Sequence, residues 1–222
     1  MMLDLSPALR QSLFVAGTDT GVGKTWVSTR LLAAQGASGL RAAGMKPVAA
    51  GAELTSHGLR NDDALALQFA ANVRLPYELV NPCCLPDPTS PHLAAARARQ
   101  RVDIPSIKSA FDLISAKTDV IVVESAGGWL APIADPARPG EAGATMEDIA
   151  RALGLPVLLV VGIRLGCISH ALLTAQAIRS AGLPFAGWVA NPIDPDFADR
   201  QDYVDSLRAR LTAPLLSIPT VP

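Results

Sequence analysis

Gly17-Thr18-Asp19-Thr20-Gly21-Val22-Gly23-Lys24-Thr25 is the stretch that decides the fold. It lies between an apolar segment with strand character, residues 12–16, and a segment with helical character, residues 24–34. Glycines let backbone amides wrap around a phosphate at a helix N-terminus, and the cation of Lys24 can reach the outer phosphates. The hydroxyl of Thr25 can bind Mg²⁺. The stretch therefore predicts a phosphate-binding loop.

This loop is one residue longer than the usual pattern, which has four residues between its first glycine and Gly-Lys-Thr. The alternative is a glycine-rich turn from strand to helix, in a chain with 17 glycines. The strand–loop–helix context together with Gly-Lys-Thr favours phosphate binding.

Outward from the loop, short apolar runs alternate with amphipathic stretches, as in βα units. Strands are predicted at 12–16, 42–48, 119–123, 156–161 and 185–190, and helices at 24–34, 62–71, 93–99, 104–116, 145–153, 168–181 and 198–211. The Pro-rich segment 73–91 is predicted to be irregular. Asn61 and the pair Thr145/Asp148 are expected helix caps. We predict one α/β domain over residues 1–222, P-loop NTPase-like, with a mostly parallel sheet flanked by helices and a flexible leader at 1–11.

The composition of the chain argues against some classes of protein, such as nucleic-acid-binding and membrane-spanning proteins. The chain has 222 residues, 50% of them apolar, and a net charge of −1, which suits one domain with its own core. A near-neutral chain argues against nucleic-acid partners, and the longest apolar run, 155–163, is too short to cross a membrane. The three cysteines lack metal-ligand spacing and predict free thiols in a cytoplasmic protein. Only four of the 19 basic residues are lysines: Lys24, Lys46, Lys108 and Lys117.

Charged residues follow two of the predicted strands. Lys46 comes directly after the apolar residues 42–45, and Glu124 directly after the strand ending at residue 123. Sites in open α/β sheets gather at the carboxyl ends of strands, so both are candidates for one site with the phosphate-binding loop. A surface lysine and a solvated loop glutamate are the alternatives. Asp63 lies in a first helical turn, where the helix dipole alone explains a carboxylate. Taken together with Arg60, Asn61 and Asp62, a role in the site is an equal alternative.

Six blocks in collinear order resemble the dethiobiotin synthetase family. They are residues 17–25, 44–51, 59–67, 123–129, 165–170 and 187–191. The resemblance implies an Mg²⁺- and ATP-dependent ligase that joins 7,8-diaminopelargonic acid and CO2, derived from bicarbonate, into dethiobiotin. A carbamate would be phosphorylated by ATP and then attacked by the second amine. It also implies a homodimer with the substrate site at its interface, and no nucleic-acid or membrane partner.

The resemblance also implies roles for individual residues. The catalytic residues would be Lys46, Lys24 and Thr20, and Mg²⁺ would be held by Thr25, Asp63 and Glu124. Nucleotide would be bound by Gly21, Val22, Gly23, Lys24, Thr25, Trp26, Asp63, Glu124, Ser125, Ala126, Gly127, Asn191, Pro192 and Pro219. The substrate would be bound by Thr20, Lys46, Ala50, Leu165, Gly166, Cys167, Ile168, Ser169 and Tyr203.

Some of these roles are more specific. Asn191 would contact the adenine edge, and the turn 165–169 would take the substrate carboxylate across the dimer interface. His170 is expected to pack or cap nearby rather than to bind metal. Tyr203 would reach the substrate tail, with helix packing as the equal alternative.

Two features depart from the family pattern. Ala50 stands where the family often has a serine that contacts the diamine. The chain ends at Pro222, so we expect fewer late nucleotide contacts and a looser nucleotide preference.

Two other functions remain as alternatives. The first is a regulatory or partitioning-type nucleotide switch, although residues 17–19 lack the extra lysine usual in that class. The second is an amide-forming ligase acting on a larger carboxylate, although the chain lacks a glutaminase domain.

Overall fold

The computed structural model describes residues 5–218. Its strands are β1 (Leu13–Gly17), β2 (Ala42–Met45), β3 (Val48–Ala50), β4 (Glu53–Thr55), β5 (Gly58–Arg60), β6 (Cys83–Leu85), β7 (Val120–Gly128), β8 (Val157–Ile163) and β9 (Phe185–Pro192). Its helices are α1 (Lys24–Ala37), α2 (Asp62–Ala70), α3 (Tyr77–Val80), α4 (Pro91–Arg97), α5 (Ile104–Ser115), α6 (Met146–Leu153), α7 (Cys167–Ser180) and α8 (Arg200–Arg208).

The central sheet has five parallel strands in the order β2-β7-β1-β8-β9. Its inner strands read as continuous apolar runs because helices cover both faces. Phe14 and Val15 show the alternation. Phe14 faces the core formed with α5, α6 and α7, whereas Val15 faces the core formed with α1. The prediction of one α/β domain with a mostly parallel sheet is confirmed.

The predicted caps are confirmed. The Asn61 side chain accepts a hydrogen bond from the Ala64 amide at the start of α2, and Thr145 and Asp148 form a capping box at α6. Such caps satisfy amides that the first helical turn leaves unpaired. The α2 cap matters for the site because Asp63 lies in that first turn.

The boundaries at the sheet's carboxyl edge differ from the prediction. The strand predicted at 119–123 continues to Gly128, so Glu124 lies within β7 rather than at its end. Gly128 pairs with Gly17 of β1, and this pairing keeps β7 extended through residues of low β propensity. The strand predicted at 42–48 is divided, because Lys46 and Pro47 leave the central sheet and β3 then pairs with β6.

Two further predictions were wrong in part. The Pro-rich segment 73–91 contains α3 and β6 and is not wholly irregular. The described part of the predicted leader is packed, since Leu5 and Leu9 are buried and the Gln35 side chain donates to the Leu9 carbonyl. Within residues 5–218, no helix combines the length and apolar character needed to cross a membrane.

Candidate active site

The phosphate-binding loop joins β1 to α1 at the carboxyl edge of the sheet. Gly21 and Gly23 have φ values of 73° and 85°, a region that favours glycine. A Cβ atom on Gly23 would lie 2.0 Å from Nδ2 of Asn191. That amide donates a 2.8 Å hydrogen bond to the Val22 carbonyl. Asn191, near the end of β9, therefore holds the loop in place through this hydrogen bond. Its side chain also leaves room only for glycine at position 23.

Lys24 opens α1 and its side chain is buried. Its Nζ donates a 3.0 Å hydrogen bond to the Asp19 carbonyl, which folds the side chain back over the loop. Burial, and after it the nearby Lys46 ammonium, lower the pKa of Lys24 to about 8. A bound phosphate would place negative charge beside Lys24 and so favour its charged, ammonium form.

Lys46 lies beside the loop and is buried, with Nζ 2.6 Å from Oε1 of Glu124 and 2.9 Å from Oδ2 of Asp63. The Thr25 hydroxyl joins the same group, 2.7 Å from Oδ1 of Asp63 and 3.0 Å from Oε1 of Glu124. The structure thus brings together four residues that lie on four separate elements or loops: Thr25, Lys46, Asp63 and Glu124.

The charges in this group reinforce one another. Burial of Nζ favours the neutral amine, but the carboxylates of Glu124 and Asp63 outweigh burial and raise the pKa of Lys46 above its ordinary value. Partial burial of Asp63 favours its neutral form. The Lys46 ammonium and the Thr25 hydroxyl outweigh that and lower the pKa of Asp63. Lys46 is thus held as a cation and Asp63 as an anion.

The donor set fits a magnesium ion. Two carboxylates and a hydroxyl are oxygen ligands of the kind Mg²⁺ prefers, with water and phosphate completing its shell. Oε2 of Glu124 and Oγ of Ser125 are buried and accept no hydrogen bond from the described residues. Within residues 5–218, no cluster of three His, Cys, Asp or Glu residues suits a metal. A metal here would therefore depend on Thr25 and on the nucleotide.

A cavity of about 550 Å³ opens over this group. The predicted residues Thr20, Lys46, Ala50, Asp63, Ala126 and Gly127 line it. Residues 88–91, which were not among the predicted site residues, line it as well. Their signal was the pair of adjacent hydroxyls, Thr89 and Ser90, in a Pro-rich segment that cannot form a long helix.

The turn 165–169 lies at the start of α7 and does not line this cavity within one chain. Leu165 is 77% exposed, whereas Cys167 is buried. The guanidinium of Arg164, directly before the turn, lies 2.6 Å from the carboxylate of Asp19 in the phosphate-binding loop. The turn is therefore tied to the loop without contacting Lys46.

The remaining predicted residues lie apart from the cavity. Trp26 is half-exposed and stacks under the guanidinium of Arg30, and Pro192 lines a second cavity of about 410 Å³ beside β9. Tyr203 packs edge-on against Phe197, with ring centroids 4.8 Å apart, as the helix-packing alternative expects. His170 is exposed on α7 within one chain, and the expectation that it packs or caps nearby stays a prediction. Pro219 lies outside the described residues.

The sheet order and the loop define a P-loop nucleotide-binding protein. The signal recognition particle receptor FtsY from Elizabethkingia anophelis in complex with GDP is similar in fold, with a TM-score of 0.54 and 16% identity over 96% of this chain and 57% of that chain. The kinase domain of Escherichia coli tyrosine kinase ETK has a TM-score of 0.52 and 16% identity over 87% of this chain and 71% of that chain.

Sequence relatives are more specific. The profile of the family described as AAA domain matches residues 11–222. The ATP-dependent dethiobiotin synthetase BioD of Xanthomonas oryzae pv. oryzae (strain PXO99A) is 48% identical over 205 residues, 91% of this chain and 88% of that protein. The protein of the same name from Pseudescherichia vulneris is 44% identical over 208 residues, 94% of this chain and 84% of that protein. The chain belongs to the ATP-dependent dethiobiotin synthetase family and is an ATP-dependent ligase of that family.

Proposed function

We propose that this protein converts 7,8-diaminopelargonic acid, CO2 and ATP into dethiobiotin, ADP and phosphate. The observation that carries the proposal is the buried Lys46 ammonium, held between Glu124 and Asp63 on the floor of a cavity beside the phosphate-binding loop. A fixed cation between a nucleotide site and a cavity suits a reaction in which two anions must meet.

The first step needs little from the protein. One amine of the substrate adds to the carbon of CO2 and loses a proton, giving a carbamate anion. The chain's task is to hold this anion against the γ-phosphate of ATP. Lys46 faces the cavity and Lys24 the loop, so the two ammonium groups can offset the repulsion between carbamate and triphosphate.

Phosphoryl transfer follows. A carbamate oxygen forms a bond to the γ-phosphorus as the bond to ADP breaks, so catalysis depends on alignment and on stabilising charge on the phosphate oxygens. Mg²⁺ held by Thr25, Asp63 and Glu124 would neutralise part of that charge when bound. The amides of the loop and the Lys24 ammonium would hold the phosphates in line.

Ring closure needs orientation more than a base. The second amine attacks the carbamate carbon, a C–N bond forms, phosphate leaves and a proton is lost. Because both amines belong to one molecule, good alignment can supply about 7–11 kcal/mol of the barrier. Thr20 and Ala50 line the cavity where the diamine would lie, and so do Thr89 and Ser90.

We propose that the substrate's carboxylate is bound by a second copy of the chain, at the turn 165–169. The support is an apolar face around the start of α7: Leu165, Leu173 and Leu130 are 77%, 67% and 56% exposed, and the last two line one shallow cavity. A homodimer would cover this face and place a helix N-terminus at the substrate's far end.

The nucleotide's base is proposed to lie near Asn191, Pro192 and Trp26. Asn191 is next to the loop and already donates one amide hydrogen to Val22. The three cysteines of the chain are free thiols, which is consistent with a cytoplasmic enzyme.

A product assay tests the proposal. Purified protein is incubated with diaminopelargonate, bicarbonate and Mg²⁺, with ATP, GTP or CTP in parallel, and dethiobiotin is measured by mass spectrometry. Dethiobiotin formed with ATP supports the proposal. Folded protein that hydrolyses nucleotide without forming dethiobiotin contradicts it and favours the nucleotide-switch alternative.

A further inference from the structure

Three buried hydrogen bonds run behind the Lys46–Asp63 pair. The Asn61 backbone amide donates to the Tyr77 hydroxyl oxygen at 2.8 Å, and the Tyr77 hydroxyl donates to Oδ1 of Asn81 at 3.0 Å. Nδ2 of Asn81 then donates to the backbone carbonyl of Lys46 at 2.7 Å. Asn61, Tyr77 and Asn81 are all buried. We call this series the Tyr77 bridge.

The bridge ends on the two backbone segments that carry the ion pair. At one end, Asn61 is the N-cap of α2, and Asp63 follows two residues later. At the other end, Lys46 is held on both sides, because its amide donates to the Val80 carbonyl at 2.7 Å and its carbonyl accepts from Asn81. Lys46 lies in the connection between β2 and β3, outside the strand pairing that would otherwise fix it.

Tyr77 is suited to this position. A phenol can accept one hydrogen bond while donating another, so a single hydroxyl can join an amide to a carbonyl-type acceptor. Burial raises the pKa of Tyr77, which keeps the hydroxyl protonated and able to donate. Its ring lies under the Arg60 guanidinium, 4.1 Å from the ring centroid, so the aromatic group is held independently of the hydroxyl.

We propose that Tyr77 is a positioning residue for the ligase reaction: its hydroxyl sets the separation between the Lys46 ammonium and the Asp63 carboxylate. The proposal rests on the proposed function, in which both groups act on the transferring phosphate. A displacement of about 1 Å at such groups can reduce turnover about 100-fold. The Tyr77 hydroxyl reaches the segments of Asp63 and Lys46 through the Asn61 amide and the Asn81 side chain, and Asn61 itself lines the cavity.

Tyr77→Phe is the direct test, because it removes the hydroxyl and keeps the ring. We expect kcat to fall about tenfold or more, the KM for ATP to change less than about threefold, and the Mg²⁺ concentration for half-maximal activity to rise. The matched control is Thr118→Val, which removes another buried hydroxyl, one that donates to the Ile114 carbonyl away from the site. A merely structural role would lower the melting temperature in both variants and change kcat in neither.

A second variant keeps the test decisive if Tyr77→Phe does not fold. Asn81→Ala interrupts the bridge at its other end, and the same fall in kcat with little change in the KM for ATP is expected. Values of kcat within about twofold of the wild type in a folded bridge variant, with unchanged Mg²⁺ dependence, would overturn the proposal.

The affinity for a non-hydrolysable ATP analogue, measured with and without Mg²⁺, separates this proposal from the proposed function. If the wild-type protein makes no dethiobiotin, the proposed function fails, but the bridge is still tested. Tyr77→Phe should then weaken the Mg²⁺-dependent gain in affinity, and Thr118→Val should not. Equal gains in all three proteins would overturn the role of Tyr77.

Discussion

The Nζ atom of Lys46 lies 2.6 Å from Oε1 of Glu124, and both side chains are closed off from solvent. The carboxylate comes from the middle of β7 and the ammonium from the connection that follows β2. Ion pairs of this kind contribute little net stability when intact, because desolvation offsets attraction, but removing one partner costs about 3–5 kcal/mol. The pair is therefore better explained by the chemistry of the site than by stability.

Lys46→Gln should abolish dethiobiotin formation while nucleotide affinity stays within about threefold of the wild type, because the proposed function places Lys46 on the carbamate side of the γ-phosphate. The free energy of unfolding should also fall, by about 3 kcal/mol, since Glu124 loses its partner. Product assay, nucleotide titration and denaturant unfolding measure the three effects. Lys117→Gln, at an exposed position, is the control. Loss of ATP binding in Lys46→Gln would instead assign Lys46 to the nucleotide.

The pKa of Lys24, lowered to about 8, predicts a pH dependence of nucleotide binding. Above pH 8 the free protein carries a neutral Lys24, whereas bound phosphates favour the ammonium. Binding must then take up a proton, so affinity should fall with rising pH, by up to about tenfold per unit well above pH 8. Calorimetric titration in two buffers of different ionisation enthalpy measures how many protons are taken up when the nucleotide binds. Lys24→Met should bind weakly without this uptake, and constant wild-type affinity from pH 7.5 to 9.5 would refute the assignment.

Gly23→Ala should destabilise the protein and prevent nucleotide binding. Alanine would be strained at the φ of 85° that position 23 adopts, and its Cβ would lie 2.0 Å from Nδ2 of Asn191. Gly182→Ala is the matched control, because its φ is 73° and, apart from its chain neighbours, no atom of residues 5–218 lies within 4 Å of its Cβ position. The control should cost about 1 kcal/mol and Gly23→Ala clearly more. Equal costs in denaturant unfolding would show that Asn191 moves aside freely.

Arg164→Gln tests whether the turn 165–169 serves the substrate. The Arg164–Asp19 pair is about half exposed, so its loss should change the free energy of unfolding by less than about 1 kcal/mol. If the turn binds the carboxylate, freeing it from the loop should raise the KM for the diamine several-fold. Steady-state kinetics and unfolding experiments measure the two effects. An unchanged KM would remove the turn from the substrate site.

The sequence predicted the parts of the site that depend on local pattern. The phosphate-binding loop, the Asn61 cap and the positions of Lys46 and Glu124 near strand ends all follow from spacing and periodicity. The end of β7 was misplaced because residues 125–128 have weak β propensity, and their extended conformation depends on pairing with β1, more than 100 residues away in the chain.

Other features depend on contacts that a single sequence does not display. The three-residue β6 forms only because β3 lies beside it, with Cys83 opposite Val48. The Tyr77 bridge joins residues 61, 77, 81 and 46 through hydrogen bonds between loops and caps, for which no periodic pattern exists. Residues 88–91 reach the cavity for the same reason, since the packing of α4 places them there.

The proposed reaction couples phosphate release to ring closure, and one experiment measures that coupling. Phosphate and dethiobiotin are measured together in one reaction containing ATP, Mg²⁺ and bicarbonate, with and without diaminopelargonate. We expect that phosphate release depends on the diamine, that phosphate and dethiobiotin form in equal amounts, and that Lys46→Gln forms neither. Phosphate release that is indifferent to the diamine, with no dethiobiotin from folded protein, would contradict this expectation.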